Sequence, residues 1–199
     1  MKRQLLTEWI PFENVNKNLI TESINNGTDL ILTGVMQRAN AKNHNGRIYP
    51  FEILDRELQK YKKVISENRA LGELDHPESY TINLSNVSHM IVSADWNDKQ
   101  EIIGKVKILN TPSGNIIKNL LAADVLLGIS SRGIGSVEEI DESTTKILDD
   151  FELICWDFVS TPSTQLAYMK KVNENVLIKT KKINKVNNLI NDIISGFNV

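Results

Sequence analysis

The chain has a single cysteine, Cys155, so no disulfide can form within it, and this usage fits a reducing compartment. Cys155 lies in the apolar run Phe151-Glu152-Leu153-Ile154-Cys155-Trp156, where it reads as a small buried hydrophobe and not as a nucleophile. An excess of charge of either sign is also lacking. With 23 basic and 25 acidic residues the formal net charge is −2, which offers no global attraction to nucleic acid or to an anionic membrane. No apolar stretch approaches the ~20 residues of a membrane helix, and the basic start Met1-Lys2-Arg3 is not followed by the apolar core of a secretory signal. A cytoplasmic protein without a membrane span is therefore expected. Internal repeats and low-complexity tracts are absent. The three histidines, His44, His76 and His89, show no paired-ligand spacing, which argues against a metal hydrolase built on them with Asp75 or Asp95. No metal or other cofactor is expected.

What is present suits one domain. At 199 residues, 41% of them hydrophobic, the chain can fill one sizeable core but hardly two. Residues 1–28 are polar and read as a helix or arm ahead of a main domain at 29–170. Strands are predicted over 29–36, 87–96, 101–109 and 148–159 from their apolar and β-branched content, with Asn45-Gly46 as a tight turn. Ile53, Leu54, Leu58, Tyr61 and Ile65 recur at helical spacing within 51–68, and a second helix is predicted over 115–123. The fold class is thus α+β, an antiparallel-rich β-barrel or curled sheet decorated by helices. From 171 to 199 lysines alternate with aliphatic residues in a basic amphipathic C-terminal tail.

The segment Gly128-Ile129-Ser130-Ser131-Arg132-Gly133-Ile134-Gly135-Ser136 follows an apolar run, and its glycines could hold a serine hydroxyl at an exposed bend. Upstream lies Gly72-Glu73-Leu74-Asp75-His76-Pro77, and downstream Cys155-Trp156-Asp157-Phe158-Val159 carries a lone acid. A serine, a histidine and a carboxylate are the parts of a hydrolytic triad. Period-two alternation puts Ser131 on one face with Leu127 and Ile129, and Ser130 on the other with Leu126 and Gly128. Three histidines are available as the base: His44 beside a surface turn, His89 at the start of a strand, and His76 between an acid and a proline.

These segments, together with Asn43-His44-Asn45-Gly46-Arg47-Ile48-Tyr49-Pro50 and Trp156 to Ser163, resemble the prohead (procapsid) core maturation protease family of large contractile-tailed phages, which is distantly similar to herpesvirus assemblin. The resemblance implies an assemblin-like barrel and a serine endopeptidase of capsid maturation. It places His76 at the family's catalytic histidine, with His89 in reserve. It favours Ser131 as nucleophile, since Ser131-Arg132-Gly133 matches a Ser-X-Gly pattern of related phage proteases, with Ser130 as a supporting hydroxyl. Assemblin-like enzymes use a second histidine after the serine, and this chain has none beyond His89. The third role passes to Asp157, with Glu152 and Asp150 as fallbacks. A backbone amide of Arg132 or Gly133 is the expected oxyanion donor, with the Arg132 guanidinium instead adding positive charge nearby or pairing with a substrate carboxylate.

Related proteases cut scaffold and capsid proteins after a glutamate that has an aliphatic residue two positions earlier. By that resemblance Leu6-Thr7-Glu8, Ile20-Thr21-Glu22 and Val172-Asn173-Glu174 are candidate self-cleavage sites, and the last would release most of the basic tail of a zymogen. The implied partners are scaffold or core proteins and the major capsid protein as substrates, with homo-oligomers in view, and no membrane or specific nucleic acid. The implied location is the prohead within the infected bacterial cytoplasm. The competing reading is a non-enzymatic prohead core or scaffold-binding protein of the same fold.

Overall fold

Side-chain alternation dictates most of the architecture. In Glu101–Ile108 the residues Ile102, Gly104, Val106 and Ile108 point inward while their neighbours stay partly exposed, the pattern of a strand with one buried face. The computed structural model describes residues 4–11, 25–160 and 169–171. In chain order its elements are β1 (Gln4–Pro11), β2 (Leu30–Arg38), β3 (Arg47–Ile48), α1 (Phe51–Ser66), β4 (Leu71–Glu73), β5 (Val87–Trp96), β6 (Glu101–Ile108), α2 (Pro112–Ala122), β7 (Gly128–Gly135), β8 (Val137–Asp141), β9 (Thr144–Ile147), β10 (Glu152–Val159) and β11 (Met169–Lys171).

The strands form three sheets, ordered β1-β7-β10, β11-β2-β6-β5-β4 and β3-β9-β8. Pairing is antiparallel throughout except between β3 and β9. Among the described residues the sheets do not close into the expected barrel. The first two meet at a bridge between Leu74 and Phe158, reinforced by the Asp75 amide donating to the Phe158 carbonyl at 2.6 Å. That junction is possible because residue 72 is glycine: a Cβ there would lie 2.2 Å from the Trp156 carbonyl oxygen and 2.3 Å from His89 Nε2.

Both helices pack on the sheets through the stripes that the spacing predicts. α1 buries Ile53, Leu54, Leu58 and Tyr61, and also Glu57, whose carboxylate accepts from the Leu153 amide at 3.1 Å and so ties the helix to β10. α2 starts where Thr111 caps the Gly114 amide at 3.0 Å and Pro112 occupies the first turn. One core joins Leu32, Met36, Val106 and Ile117 to Ile129, Trp156 and Phe158, and a second joins Leu6, Tyr49, Leu54, Ile147 and Phe151.

Two expectations are corrected here. Residues 4–11 are not an arm beside the domain: β1 is hydrogen-bonded along β7, and Leu6 is buried. Residues 128–135 are not an exposed bend but the central strand of a sheet, and Gly133 and Gly135 let Phe151 approach where a Cβ would sit 2.4 Å and 2.9 Å from it. Beyond residue 171 the tail lies outside the described residues, as do Glu22 and Glu174.

Candidate active site

The site forms where β7, β10 and the segment after β4 converge. Cross-strand register sets Ser130 opposite Asp157 and Ser131 opposite Trp156, so neighbouring residues of β7 face different environments. Trp156, Phe158 and Ile129 belong to the main core, and Ser131 points with them. Ser130, Arg132, Cys155 and Asp157 share the opposite face, beneath the segment 74–86 that carries His76.

That segment is held along its length. Asp75 adopts φ +68, a left-handed conformation that aspartate tolerates, and turns the chain back over β10. Asn86 Nδ2 donates to the Leu74 carbonyl at 2.6 Å, the Asn83 amide donates to Glu73 Oε1 at 3.0 Å, and Arg132 Nη1 donates to the Ser79 carbonyl at 2.9 Å. His76 is thereby placed with Nδ1 2.9 Å from Asp157 Oδ2 and Nε2 2.5 Å from Ser130 Oγ. The direction of these bonds follows from charge. Asp157 is fully buried, which alone would raise its pKa, but the His76 hydrogen bond, the Arg132 charge and the Glu73 amide outweigh burial and hold it below the ordinary carboxylate value. An ionised Asp157 can only accept, so Nδ1 carries the proton, and neutral Nε2 is free to accept from the Ser130 hydroxyl.

Arg132 is enclosed. Its Nη2 donates to Glu73 Oε1 at 2.8 Å, its Nε sits 2.8 Å from Asp157 Oδ2, and both acids are inaccessible to solvent. Burial disfavours this cation, but the Asp157 and Glu73 carboxylates around it raise its pKa. The Cys155 thiol is pushed well up by burial and by Asp157, and its S–H donates to Asp157 Oδ1 at 3.2 Å, so it is a neutral packing group.

Set against the sequence reading, the structure brings His76, Asp157 and Ser130 together and leaves Ser131 out. Ser131 Oγ is buried without a hydrogen-bond partner among the described residues. His89 is no reserve base: it is fully buried, Nε2 donates to the Trp156 carbonyl at 2.9 Å, and burial lowers its pKa to about 4 against weaker support from Asp157. Asp150 instead accepts from the amide and hydroxyl of Ser136 at 2.9 and 2.8 Å, and Glu152 is exposed at the start of β10. The Arg132 guanidinium is occupied by the two acids, and Arg132 and Gly133 pair with β1 on one side and, across a register shift between Leu153 and Cys155, with β10 on the other. Glu73 was overlooked. Its signal was a carboxylate at an inward strand position directly after a glycine that a close approach requires.

A strand-borne serine, a histidine on a clamped loop and a buried aspartate meet on a mixed, strand-rich α+β fold. Residues 13–176 match the model of the prohead core protein serine protease family, and the chain belongs to that family, a group of proteases of phage capsid assembly. It is 27% identical over 153 residues to the "Prohead core protein protease" of Enterobacteria phage T4, covering 73% of this chain and 71% of that protein. Its fold is that of the bacteriophage T4 capsid assembly protease, gp21, with a TM-score of 0.68 at 21% identity over 81% of this chain and all of that one.

Proposed function

We propose that this protease is a serine endopeptidase that cuts scaffold, core and capsid proteins after glutamate inside the prohead, with Ser130 as nucleophile, His76 as general base and Asp157 orienting the imidazole. The observation that carries the reading is the unbroken hydrogen-bonded chain from Asp157 Oδ2 through His76 to Ser130 Oγ. Ser130 Oγ attacks the scissile carbonyl carbon while its proton passes to His76 Nε2. The imidazolium, stabilised by Asp157, then returns that proton to the departing amine as the C–N bond breaks. Water, deprotonated by the same nitrogen, releases the acyl group from Ser130.

Ser130 is only 1% exposed while the His76 side chain is 19% exposed, and a nucleophile this buried fits a latent precursor. Self-cleavage after Glu8 meets a further obstacle. That bond lies within β1, in register with Ser131 and Ser130 of β7, so it would have to leave the sheet before any protease could bind it.

The test is co-expression with a scaffold or capsid protein of the same phage, read by intact mass. Wild type should generate new C-termini at glutamate, and a folded Ser130→Ala variant should generate none. Equal cutting by both would move the nucleophile elsewhere, new termini at other residues would refute the glutamate specificity, and no cutting by wild type would favour a latent precursor or a non-enzymatic core protein.

A further inference from the structure

The arginine behind the site is held by a second acid that the triad does not use. Arg132 Nε contacts the same Asp157 oxygen, Oδ2, that His76 Nδ1 binds, and Arg132 Nη2 donates to Glu73 Oε1 at 2.8 Å. Glu73 also reaches Asp157 directly, its amide donating to Oδ1 at 2.9 Å, and it takes the Asn83 amide from the loop that carries His76. All three charged side chains are fully buried, so solvent screens their mutual field weakly. Two carboxylates and one guanidinium leave one uncompensated negative charge, facing an imidazole that must become cationic during reaction.

We infer that Glu73 is a positioning residue of the reaction, which locks Arg132 against Asp157 and supplies the negative charge that stabilises the His76 imidazolium. This rests on the assignment of His76 as base. The other titratable groups around the pair are Cys155 of β10, Tyr61 of α1, His89 of β5 and, on the loop itself, Asp75, Glu78 and Tyr80. Burial raises the Cys155 and Tyr61 pKa values and lowers that of His89 to about 4, so these three stay neutral in a neutral-pH assay, and Asp75, Glu78 and Tyr80 are exposed, where solvent screens them. None of them can substitute for the Glu73 charge.

Glu73→Gln keeps the shape and removes that charge. With less stabilisation the imidazolium sheds its proton more readily, so the base persists to lower pH. The acid limb of the kcat/KM profile should therefore move down by about one pH unit, the order expected of one buried charge beyond the Asp157–Arg132 pair at an effective dielectric of about 20, with a plateau about 10-fold lower. Arg132→Gln removes the cation instead and should move the limb upward, and either variant that folds decides the sign. Glu73→Asp, which keeps the charge, should leave the limb in place. A second readout free of turnover is the NMR titration of the His76 ring in Ser130→Ala with and without Glu73→Gln, which should be displaced toward lower pH. An activity loss with both the limb and the ring titration unmoved would overturn the inference and reduce Glu73 to a loop anchor. Continued cleavage by Ser130→Ala would refute the proposed nucleophile, while the ring titration would still decide the role of Glu73.

Discussion

Replacing Asp157 by Asn changes one atom's chemistry at the point where every polar link of the site meets. The aspartate accepts from His76 Nδ1, from the Glu73 amide, from Arg132 and from the Cys155 thiol, and it has no solvent contact. An asparagine oxygen can keep the Glu73 amide, which leaves its NH2 facing Arg132 and His76. Two donors would then oppose each other unless the imidazole flips its proton to Nε2, and in that tautomer it cannot accept from Ser130. Loss of the correct tautomer costs roughly 10⁴-fold in kcat in a triad of this kind. Breaking a buried ion pair costs about 3–5 kcal/mol, and because Arg132 retains Glu73 the lower end, about 3 kcal/mol, applies. At a urea dependence of about 2 kcal/mol per molar, the unfolding midpoint should fall by roughly 1.5 M. Single-turnover cleavage of a glutamate-containing peptide and urea unfolding at pH 7 measure the two effects. Cleavage within about 10-fold of wild type would refute the orienting role, and an unchanged midpoint would refute the buried pairing.

Ser131→Ala should leave cleavage within about 2-fold of wild type and leave stability equal or up to ~1 kcal/mol higher, since it removes a buried hydroxyl without a partner among the described residues. A loss as deep as that of Ser130→Ala would reverse the assignment of the two serines. His89 makes stability depend on pH. Its folded pKa of about 4 lies below the unfolded value of about 6.5, so the unfolded chain binds the extra proton between them and stability falls as pH drops through that window. The loss is on the order of 3 kcal/mol, complete near pH 4, and His89→Gln should flatten it. A wild-type urea midpoint that stays constant from pH 6.5 to 4.5 would show that His89 is not buried neutral.

Periodicity located the helix over Phe51–Ser66 and the strands over Val87–Trp96 and Glu101–Ile108, because each carries its own buried stripe. β1 was illegible: it falls in a stretch that reads as a polar helix or arm, and it becomes a strand by pairing with β7, more than a hundred residues away. Among the described residues the closed barrel expected from the resemblance was not found either. Whether sheets close depends on contacts at their edges, and here the five-stranded sheet and the β1-β7-β10 sheet are joined through the bridge at Leu74 and Phe158.

For the site, the local sequence determined that Ser130 and Ser131 must face opposite ways and that Ser131 must follow Leu127 and Ile129. Which of those faces packs into the core and which meets His76 was decided by tertiary structure. The β7–β10 register puts Trp156 and Phe158 behind Ser131 and Ile129, and puts Asp157 beside Ser130. Sequence likewise supplied His76 and Asp157 as chemistry, but 81 residues separate them, and their 2.9 Å contact exists only because Gly72 lets β4 lie against β10. Alternation is a property of a single strand. The meeting of an acid, a base and a hydroxyl depends on how three separate stretches of chain pair and pack.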